Sequence, residues 1–306
     1  MSQILSAKNY WVLSGGTGTG KSGLGLRLAR HLGLEILSLD SMLVYKGMNI
    51  GTAKPSPSEL QEIKHHLVDL VEPYEEFNAL RFVDCADRAY ENCGGRLLGV
   101  GGTPFYLKIL REGLSSQTTV LGLEDYFKTC SEAHLRRMLL RLDPLREGQI
   151  LPRDVFRLQR ALTLIFSSGQ KASLLRCEGP RSGVNVSAVA LRCDRERMHA
   201  WLKKRIDGMF KAGLLEEAHT LFQHQKFSRT ASAAVGYKEL FAYFRGELSL
   251  EEAQFKILVG TRRLYKHQMT WFAKLPVTWV EADPENPEKA WPLVRDLAEK
   301  HFLKLS

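Results

Sequence analysis

The chain has 306 residues, of which 44% are hydrophobic, and its 43 lysines and arginines outnumber its 34 acidic residues, giving a net charge of +9. This length allows one large or two unequal domains with a substantial core, and no apolar run reaches the roughly 18 residues that would indicate a membrane span. The N-terminus lacks the features of a signal peptide and the five cysteines form no CxxC pair, so we expect a cytoplasmic protein with reduced cysteines and no zinc site.

The first third of the chain alternates between predicted strands and helices. A strand over 10–14 leads into an amphipathic helix over 20–31, and a second strand over 34–39 ends at Asp40. The pattern then predicts three more elements: a short strand over 66–71, a helix over 78–92 and a third strand over 96–100. Alternation of this kind predicts a parallel sheet, whose functional residues gather at the carboxyl edge of the strands.

The rest of the chain is predicted to be mainly helical. A capping box of Ser249 and Glu252 predicts the start of a long helix that runs to about residue 273. The other predicted elements are helices over 123–142, 153–166 and 195–210 and strands over 188–191 and 277–281. We therefore predict an α/β fold in which a parallel-sheet core of residues 1–114 and 186–306 carries a mainly helical insertion over 115–185.

The positive charge is concentrated in one part of the chain. Residues 136–211 contain 17 lysines and arginines against seven acidic residues, so the remainder is close to neutral. A solvated basic face is one explanation for such a run. Concentration of the whole excess in a single segment instead favours a nucleic acid or another polyanion as the partner.

A glycine-rich turn between the first strand and the first helix matches the phosphate-binding pattern GxxxxGK[ST]. Backbone N–H groups would converge there on phosphate oxygens, Lys21 would reach the terminal phosphates, and Ser22 would ligate Mg²⁺. The core is therefore predicted to be of the P-loop type. The residues of this phosphate site are Gly15, Gly16, Thr17, Gly18, Thr19, Gly20, Lys21 and Ser22.

The residues after the second strand indicate the role of the bound phosphate in the reaction. P-loop enzymes that cleave a γ-phosphate place an acid at a strand end, and Asp40 occupies such a position at the end of the second strand, which we expect to lie next to the P-loop in the parallel sheet. A loop or helix cap and a Mg²⁺-associated acid are alternative roles for this carboxylate. A small-molecule kinase would account for the acid but not for the long, half-apolar loop over 41–55, which is suited to covering a group that is partly greasy and partly planar.

Four further segments, together with the P-loop, resemble the tRNA dimethylallyltransferase family in order and spacing. They are DSMLVYKGMNIGTAKP (40–55), VGGTPFYLKILREGL (100–114), AVGYKEL (234–240) and TRRLYKHQMTWF (261–272), and the resemblance spans about residues 10–275. It implies transfer of a dimethylallyl group from dimethylallyl diphosphate to the N6 amine of adenine 37, beside adenine 36, in tRNAs that read codons beginning with U. Diphosphate is the other product.

The resemblance also implies the roles of the phosphate site and its neighbours. The P-loop would bind, with Mg²⁺, a diphosphate that leaves, so ATP is expected to compete with dimethylallyl diphosphate and not to be required. Asp40 would be the base that accepts the N6 proton, Thr103 would lie near the oxygen that bridges diphosphate and carbon, and Arg205 would approach the diphosphate. Without the resemblance, Thr103 is more typical of a helix cap and Arg205 of surface charge.

The remaining implied contacts are with the dimethylallyl group and the tRNA. The apolar residues of the loop from Met42 to Ile50 would enclose the isoprenoid and exclude water. Phe156 is a candidate for stacking on a base or for burial, and a second basic cluster lies at 262–267. The predicted tRNA-contacting residues are Asp40, Ser41, Met42, Leu43, Thr103, Phe156, Arg157, Leu158, Gln159 and Arg160. Leu43, Trp201 and Thr163 depart from the residues usual in the family, which affects the expected tRNA footprint.

Three rival functions are compatible with parts of the sequence: a transferase acting on free adenine nucleotides, a small-molecule P-loop kinase, and an RNA-binding protein without catalysis. The net charge of +6 over 136–181 and the TWF segment favour tRNA over a free nucleotide. Loss of catalysis is disfavoured because the chain keeps all the expected catalytic and phosphate-binding side chains: Lys21, Ser22, Asp40, Thr103 and Arg205. We expect a monomer that makes no contact with a membrane.

Overall fold

The computed structural model describes residues 7–113, 123–175, 181–223 and 226–303. It divides into two compact units. The sheet unit contains residues 1–111 and 181–306, and the inserted unit contains residues 112–180. Among the described residues, no helix has the length and apolar character needed to cross a membrane.

A single six-stranded sheet organises the sheet unit. Every pairing in it is parallel, as the alternation of strands and helices predicted, and the spatial order is β3-β2-β4-β1-β5-β6. The strands are β1 (Lys8–Gly15), β2 (Glu35–Ser38), β3 (His65–His66), β4 (Leu97–Gly101), β5 (Val184–Arg192) and β6 (Thr278–Glu281).

The order of the central strands corrects one expectation about Asp40. The sequence predicted that Asp40, at the end of the second strand, lies next to the P-loop. In the sheet, β4 lies between β1 and β2, because Leu98 of β4 pairs with Trp11 of β1 on one side and with Ile36 of β2 on the other. Asp40 therefore reaches the P-loop across the end of β4. The predicted strand over 66–71 is also shorter than expected, since left-handed backbone at Leu67 (φ 63°) and Asp69 (φ 51°) ends β3.

Four helices precede the insertion. They are α1 (Lys21–Leu32), α2 (Pro57–Glu62), α3 (Ala79–Asn92) and α4 (Pro104–Glu112). Local signals explain their starts: the side chain of Asn78 accepts a hydrogen bond from the Arg81 N–H and caps α3. Helices α1 and α3 match the prediction, whereas α2 and α4 were not predicted.

The inserted unit contains α5 (Leu123–Thr129), α6 (Glu132–Leu142), α7 (Pro144–Glu147) and α8 (Val155–Ser168). The single helix predicted over 123–142 is wrong. Its pattern is broken at Ser131, whose side chain accepts from the His134 N–H and caps a new helix. The unit has its own hydrophobic core, which includes Phe127, Leu135, Leu139, Leu158 and Leu162.

The helices after the insertion complete the sheet unit. They are α9 (Arg195–Lys211), α10 (Leu214–Gln223), α11 (Arg229–Ser232), α12 (Tyr237–Phe244), α13 (Leu250–Phe272) and α14 (Trp291–Phe302). The predicted capping box of Ser249 and Glu252 opens α13. The two crossing points of the chain are adjacent within the sheet unit: the Arg181 N–H donates to the Arg111 carbonyl at 2.9 Å, and the Arg181 guanidinium pairs with Asp87.

Candidate active site

A cavity of about 890 Å³ lies in the sheet unit, where the loops that follow β1, β2 and β4 meet α9 and α13. This is the carboxyl edge of the strands, the expected place for a site in a parallel sheet. Gly15, Gly16 and Thr19 are buried behind the lining. The predicted site residues that line the cavity are Thr17, Gly18, Gly20, Lys21, Ser22, Asp40, Ser41, Met42, Leu43, Thr103 and Arg205.

The P-loop is supported by residues far away in the sequence. A Cβ placed on Gly16 would lie 2.4 Å from the Tyr265 ring of α13, so only glycine allows this approach. The buried Thr19 hydroxyl donates to the Gly16 carbonyl at 2.9 Å and fixes the turn from within. The loop thus rests against α13.

Gln268 of α13 is a functional residue that the sequence analysis missed. It lines the cavity, its Oε1 accepts from the Thr17 N–H at 2.8 Å, and its Nε2 donates to the Gly102 carbonyl at 2.7 Å. One buried side chain therefore joins the P-loop to the loop after β4. The one sequence feature that could have indicated Gln268 is its place in the family segment TRRLYKHQMTWF. The basic residues of that segment suggest an RNA contact instead.

Three charged side chains influence one another electrostatically at the cavity. Burial lowers the pKa of Lys21 to about 8; Asp40 opposes this shift and Arg205 adds to it. Burial also lowers the pKa of Arg205, again with Asp40 in opposition. Two cations beside one carboxylate leave a net positive charge, which suits an anionic ligand.

Asp40 and Thr103 are held by the ends of β2 and β4. The Asp40 Oδ1 accepts from the Met42 N–H at 2.9 Å, which orients the carboxylate. The Thr103 Oγ1 accepts from the Ser41 N–H at 3.1 Å, and the Thr103 N–H donates to the Leu39 carbonyl at 3.0 Å. Among the described residues none donates to the second oxygen of Asp40, so this oxygen is available to accept a proton from a ligand.

The apolar part of the lining differs from the prediction. Met42 and Leu43 of the predicted loop line the cavity, whereas Val44, Tyr45 and Met48 are fully buried in the protein and do not. The loop therefore provides only part of an apolar enclosure. The other large apolar residues of the lining are Leu26, Ile36, Val100, Ile206, Met209, Leu214, Val235, Ile257 and Leu264.

The residues predicted in the inserted unit take different environments on α8. Phe156, Arg157 and Arg160 are exposed, whereas Leu158 is completely buried in the hydrophobic core of the unit, so its side chain cannot touch tRNA. The Gln159 amide donates to the Phe127 carbonyl at 3.0 Å. The Arg157 guanidinium pairs with Asp154, the cap residue of the same helix.

Two of the departures from the family pattern have visible structural roles. Trp201 of α9 packs against the P-loop, where its Cδ1 would lie 3.4 Å from a Cβ on Gly18. Thr163 of α8 is buried and donates to the Gln159 carbonyl at 3.0 Å. In the basic cluster at 262–267, Arg263, Lys266 and His267 are exposed, while the Nε of Arg262 is buried without a partner among the described residues.

Comparison with known families and proteins gives concordant results. The chain matches the IPP transferase family over residues 43–275 and the isopentenyl transferase family over residues 8–70. It is 38% identical over 281 residues to tRNA dimethylallyltransferase 1 of Citrifermentans bemidjiense, covering 88% of this chain and 91% of that protein. It is 36% identical over 314 residues to the tRNA dimethylallyltransferase of Moorella thermoacetica, covering 97% of both.

Solved structures share the fold. The full-length tRNA isopentenylpyrophosphate transferase of Bacillus halodurans superposes with a TM-score of 0.72 at 28% identity and covers 97% of both chains. A eukaryotic dimethylallyltransferase described as acting on tRNA superposes with a TM-score of 0.81 at 24% identity, over 97% of this chain and 80% of that one.

Proposed function

The chain belongs to the IPP transferase family of tRNA dimethylallyltransferases, and from that premise we propose the acceptor atom, the donor and the residues that carry the reaction. The enzyme is a prenyltransferase that transfers a dimethylallyl group to tRNA. The donor is dimethylallyl diphosphate, and the acceptor is the N6 amine of adenine 37 in tRNAs that read codons beginning with U.

One observation carries this proposal. A single cavity combines a phosphate-binding loop, two cations, a carboxylate and a wall that is largely apolar. A kinase site would also contain the phosphate-binding loop, the cations and the carboxylate. An apolar wall beside the phosphate site suits a donor whose transferred group has no polar atoms, because it shields the allylic carbon from water.

The reaction is a displacement at the allylic carbon. The N6 nitrogen forms the new C–N bond while the C–O bond to the diphosphate breaks, and the diphosphate leaves with the electron pair. Lys21, Arg205 and the P-loop amides stabilise the charge that develops on the leaving group. Asp40 takes the N6 proton, and Thr103 lies beside it because its Oγ1 is bonded to the Ser41 N–H.

The donor set of the cavity fits Mg²⁺. Ser22 lines the cavity with an exposed side chain. Among the described residues no group of three His, Cys, Asp or Glu side chains is arranged to hold a metal. Mg²⁺ does not need such a group, because it binds substrate phosphates and keeps several waters. Bound there by Ser22 and the diphosphate, the ion would neutralise charge on the leaving group.

We propose that the inserted unit supplies tRNA contacts through Phe156, Arg157 and Arg160, which are exposed on α8. Arginine donors suit phosphate oxygens, and an exposed aromatic ring suits an unstacked base. The adenine must leave its stack to reach Asp40. We further propose a monomer that works in the cytoplasm, where its acceptor is found.

The test offers labelled dimethylallyl diphosphate with either tRNA or AMP as acceptor, with and without ATP. We expect label in tRNA at adenine 37, none in AMP, and slower transfer when ATP competes for the P-loop. Label in AMP would identify a nucleotide-modifying enzyme. Acceleration by ATP would contradict the role of the P-loop as a diphosphate site.

A further inference from the structure

The loop after Asp40 forms one side of the cavity. Its residues 51–55, here called the wall segment, all line the cavity: Gly51, Thr52, Ala53, Lys54 and Pro55. The segment contains no helix or strand. Besides bonds within the loop, such as that from the Ala53 N–H to the Ile50 carbonyl, contacts from distant residues hold it in place.

Glu217 of α10 holds the start of the wall segment. One carboxylate oxygen accepts from the Ile50 and Gly51 N–H groups at 3.0 and 3.2 Å, and the other accepts from the Asn49 and Ile50 N–H groups at 3.0 and 2.9 Å. Three consecutive backbone N–H groups thus converge on one anion. Charge-assisted bonds of this kind are about twice as strong as neutral ones. Glu217 itself does not line the cavity.

Tyr237 of α12 supports the same contact. Its hydroxyl donates to Glu217 Oε1 at 2.6 Å, and burial together with this carboxylate raises the pKa of Tyr237, which keeps the hydroxyl protonated. The ring lies close to Gly51, where an added Cβ would be 2.6 Å from its Cε2 and Cζ atoms. Tyr237 therefore fixes both the carboxylate and the glycine that it holds.

The far end of the wall segment has its own anchor. The Lys54 ammonium pairs with Asp69 at 2.5 Å and donates to the Tyr45 carbonyl at 2.7 Å, and only 3% of its side chain is exposed. The Lys54 N–H also donates to the Asn49 carbonyl at 2.9 Å. The two ends of the wall segment are thus held by different groups, Lys54 at one end and Glu217 at the other.

We propose that Glu217, oriented by Tyr237, is a positioning residue that keeps the wall segment closed over the dimethylallyl group and so directs the allylic carbon to the tRNA amine and away from water. This role rests on the proposed function. If the wall opens, water competes with the amine. Its oxygen bonds to the allylic carbon, the C–O bond to the diphosphate breaks, the diphosphate leaves with the electron pair, and water takes up the proton. The product is dimethylallyl alcohol.

The decisive variant is Glu217→Gln, which keeps the length and shape of the side chain. One of the two accepting oxygens becomes an NH₂ group, which cannot accept from the backbone N–H groups of residues 49–51. Its matched control is Glu216→Gln, the same change at an exposed position of the same helix. Tyr237→Phe removes only the hydroxyl and serves as a second, milder variant. Three quantities are measured on the full chain: hydrogen exchange of the amides of residues 49–51, transfer to tRNA, and the fraction of labelled donor that appears as alcohol.

For Glu217→Gln we expect amide exchange at 49–51 to accelerate about tenfold or more, because bonds to a charged group are lost. Transfer should fall by up to about 10²-fold, the effect of a misplacement near 1 Å, and the alcohol fraction should rise. Tyr237→Phe should move all three in the same direction by less, and Glu216→Gln should match the wild type.

Two results would overturn the proposal. One is exchange at 49–51 equal to that of Glu216→Gln, which would mean that Glu217 does not hold the wall. The other is faster exchange with unchanged transfer and alcohol fraction, which would leave the contact merely structural. If Glu217→Gln fails to fold, Tyr237→Phe decides by the same criteria. Failure of the wild type to prenylate tRNA would refute the proposed function and, with it, the positioning role, whatever the exchange data show about the contact.

Discussion

The two units of this protein present their candidate functional side chains in opposite ways. In the sheet unit the candidate residues surround a cavity, and several are fixed by partners far away in the sequence, as when Gln268 accepts from the Thr17 N–H. In the inserted unit the candidates Phe156, Arg157 and Arg160 are exposed on α8, and the Arg157 guanidinium pairs with Asp154, three residues away.

This contrast separates two kinds of contribution to catalysis. A charge held beside a cavity acts on a bound ligand at short range and is poorly screened by salt, whereas an exposed arginine acts on a polyanion and is screened. Substitutions in the sheet unit should therefore change donor binding and the chemical step. Substitutions on α8 should change tRNA affinity and its salt dependence.

Asp40→Asn should have the largest effect. The variant keeps the oxygen that accepts from the Met42 N–H but cannot take up a proton at neutral pH. Single-turnover transfer should fall by about 10²–10⁴-fold, the usual contribution of a general base, while tRNA and donor affinities change only a few-fold. Transfer near the wild-type rate, or a loss caused only by weaker Mg²⁺ binding, would mean that another group accepts the proton.

Lys21→Ala should come next, with a loss of about 10²–10³-fold in transfer and weaker binding of dimethylallyl diphosphate. The salt dependence of tRNA binding should stay the same, which is the sharpest form of the contrast between the units. A change in that salt dependence would show that the cavity cations also act on the polyanion.

The lowered pKa of Lys21 adds a pH test. With a pKa of about 8 in the free protein, the ammonium is charged below that pH and loses its charge as the pH rises through it. The KM for dimethylallyl diphosphate should therefore rise between pH 7 and pH 9. Lys21→Arg keeps its charge over this range, so its KM should stay flat; a parallel rise in this variant would assign the effect to another group.

Gln268→Leu should have a moderate effect. It keeps the bulk of the side chain but removes the bonds to the Thr17 N–H and the Gly102 carbonyl. Two net hydrogen bonds of about 1 kcal/mol each correspond to roughly 10–30-fold weaker donor binding. Thr270→Ala, at an exposed position of the same helix, is the control. Equal donor affinity in the two variants would show that the P-loop keeps its shape without Gln268.

Replacement of Arg157 and Arg160 by alanine should have the smallest effect on transfer at low salt. Each lost phosphate contact should lower the slope of log K against log salt by about 0.9 for duplex or 0.7 for single-stranded RNA, with donor binding unchanged. Arg137 and Arg141, exposed on α6 of the same unit, provide a control that removes the same charge. An equal change in slope for both pairs would indicate general attraction and not contact by α8.

Features set by neighbouring residues could be predicted from the sequence. The P-loop needs only its glycines, Lys21 and Ser22 between a strand and a helix, and α13 opens at the capping box of Ser249 and Glu252 because both bonds lie within one turn. Asp40 was indicated by its place at the end of a strand, whereas Thr103 and Arg205 came from the family resemblance; all three line the cavity.

Features set by distant residues could not. The position of β4 between β1 and β2 depends on pairing across the whole sheet, and no local pattern encodes it. Gln268 and Glu217 are ordinary polar residues on helices until the fold brings backbone groups to them. The break at Ser131 is a local signal, because serine often caps the start of a helix. It is ambiguous in the sequence, since Ser131 and Glu132 also fit the interior of one continuous helix.

The bond between the Arg181 N–H and the Arg111 carbonyl has a consequence for how such a protein can change over time. The chain leaves the sheet unit and returns to it at neighbouring points. With respect to the sheet, residues 112–180 are therefore a single loop whose ends meet. Closing a longer loop is cheap in entropy, about 0.6 kcal/mol for each doubling of its length. Lineages can therefore lengthen, shorten or exchange this segment without changing the register of a strand, and the sheet unit and the inserted unit are free to evolve at different rates.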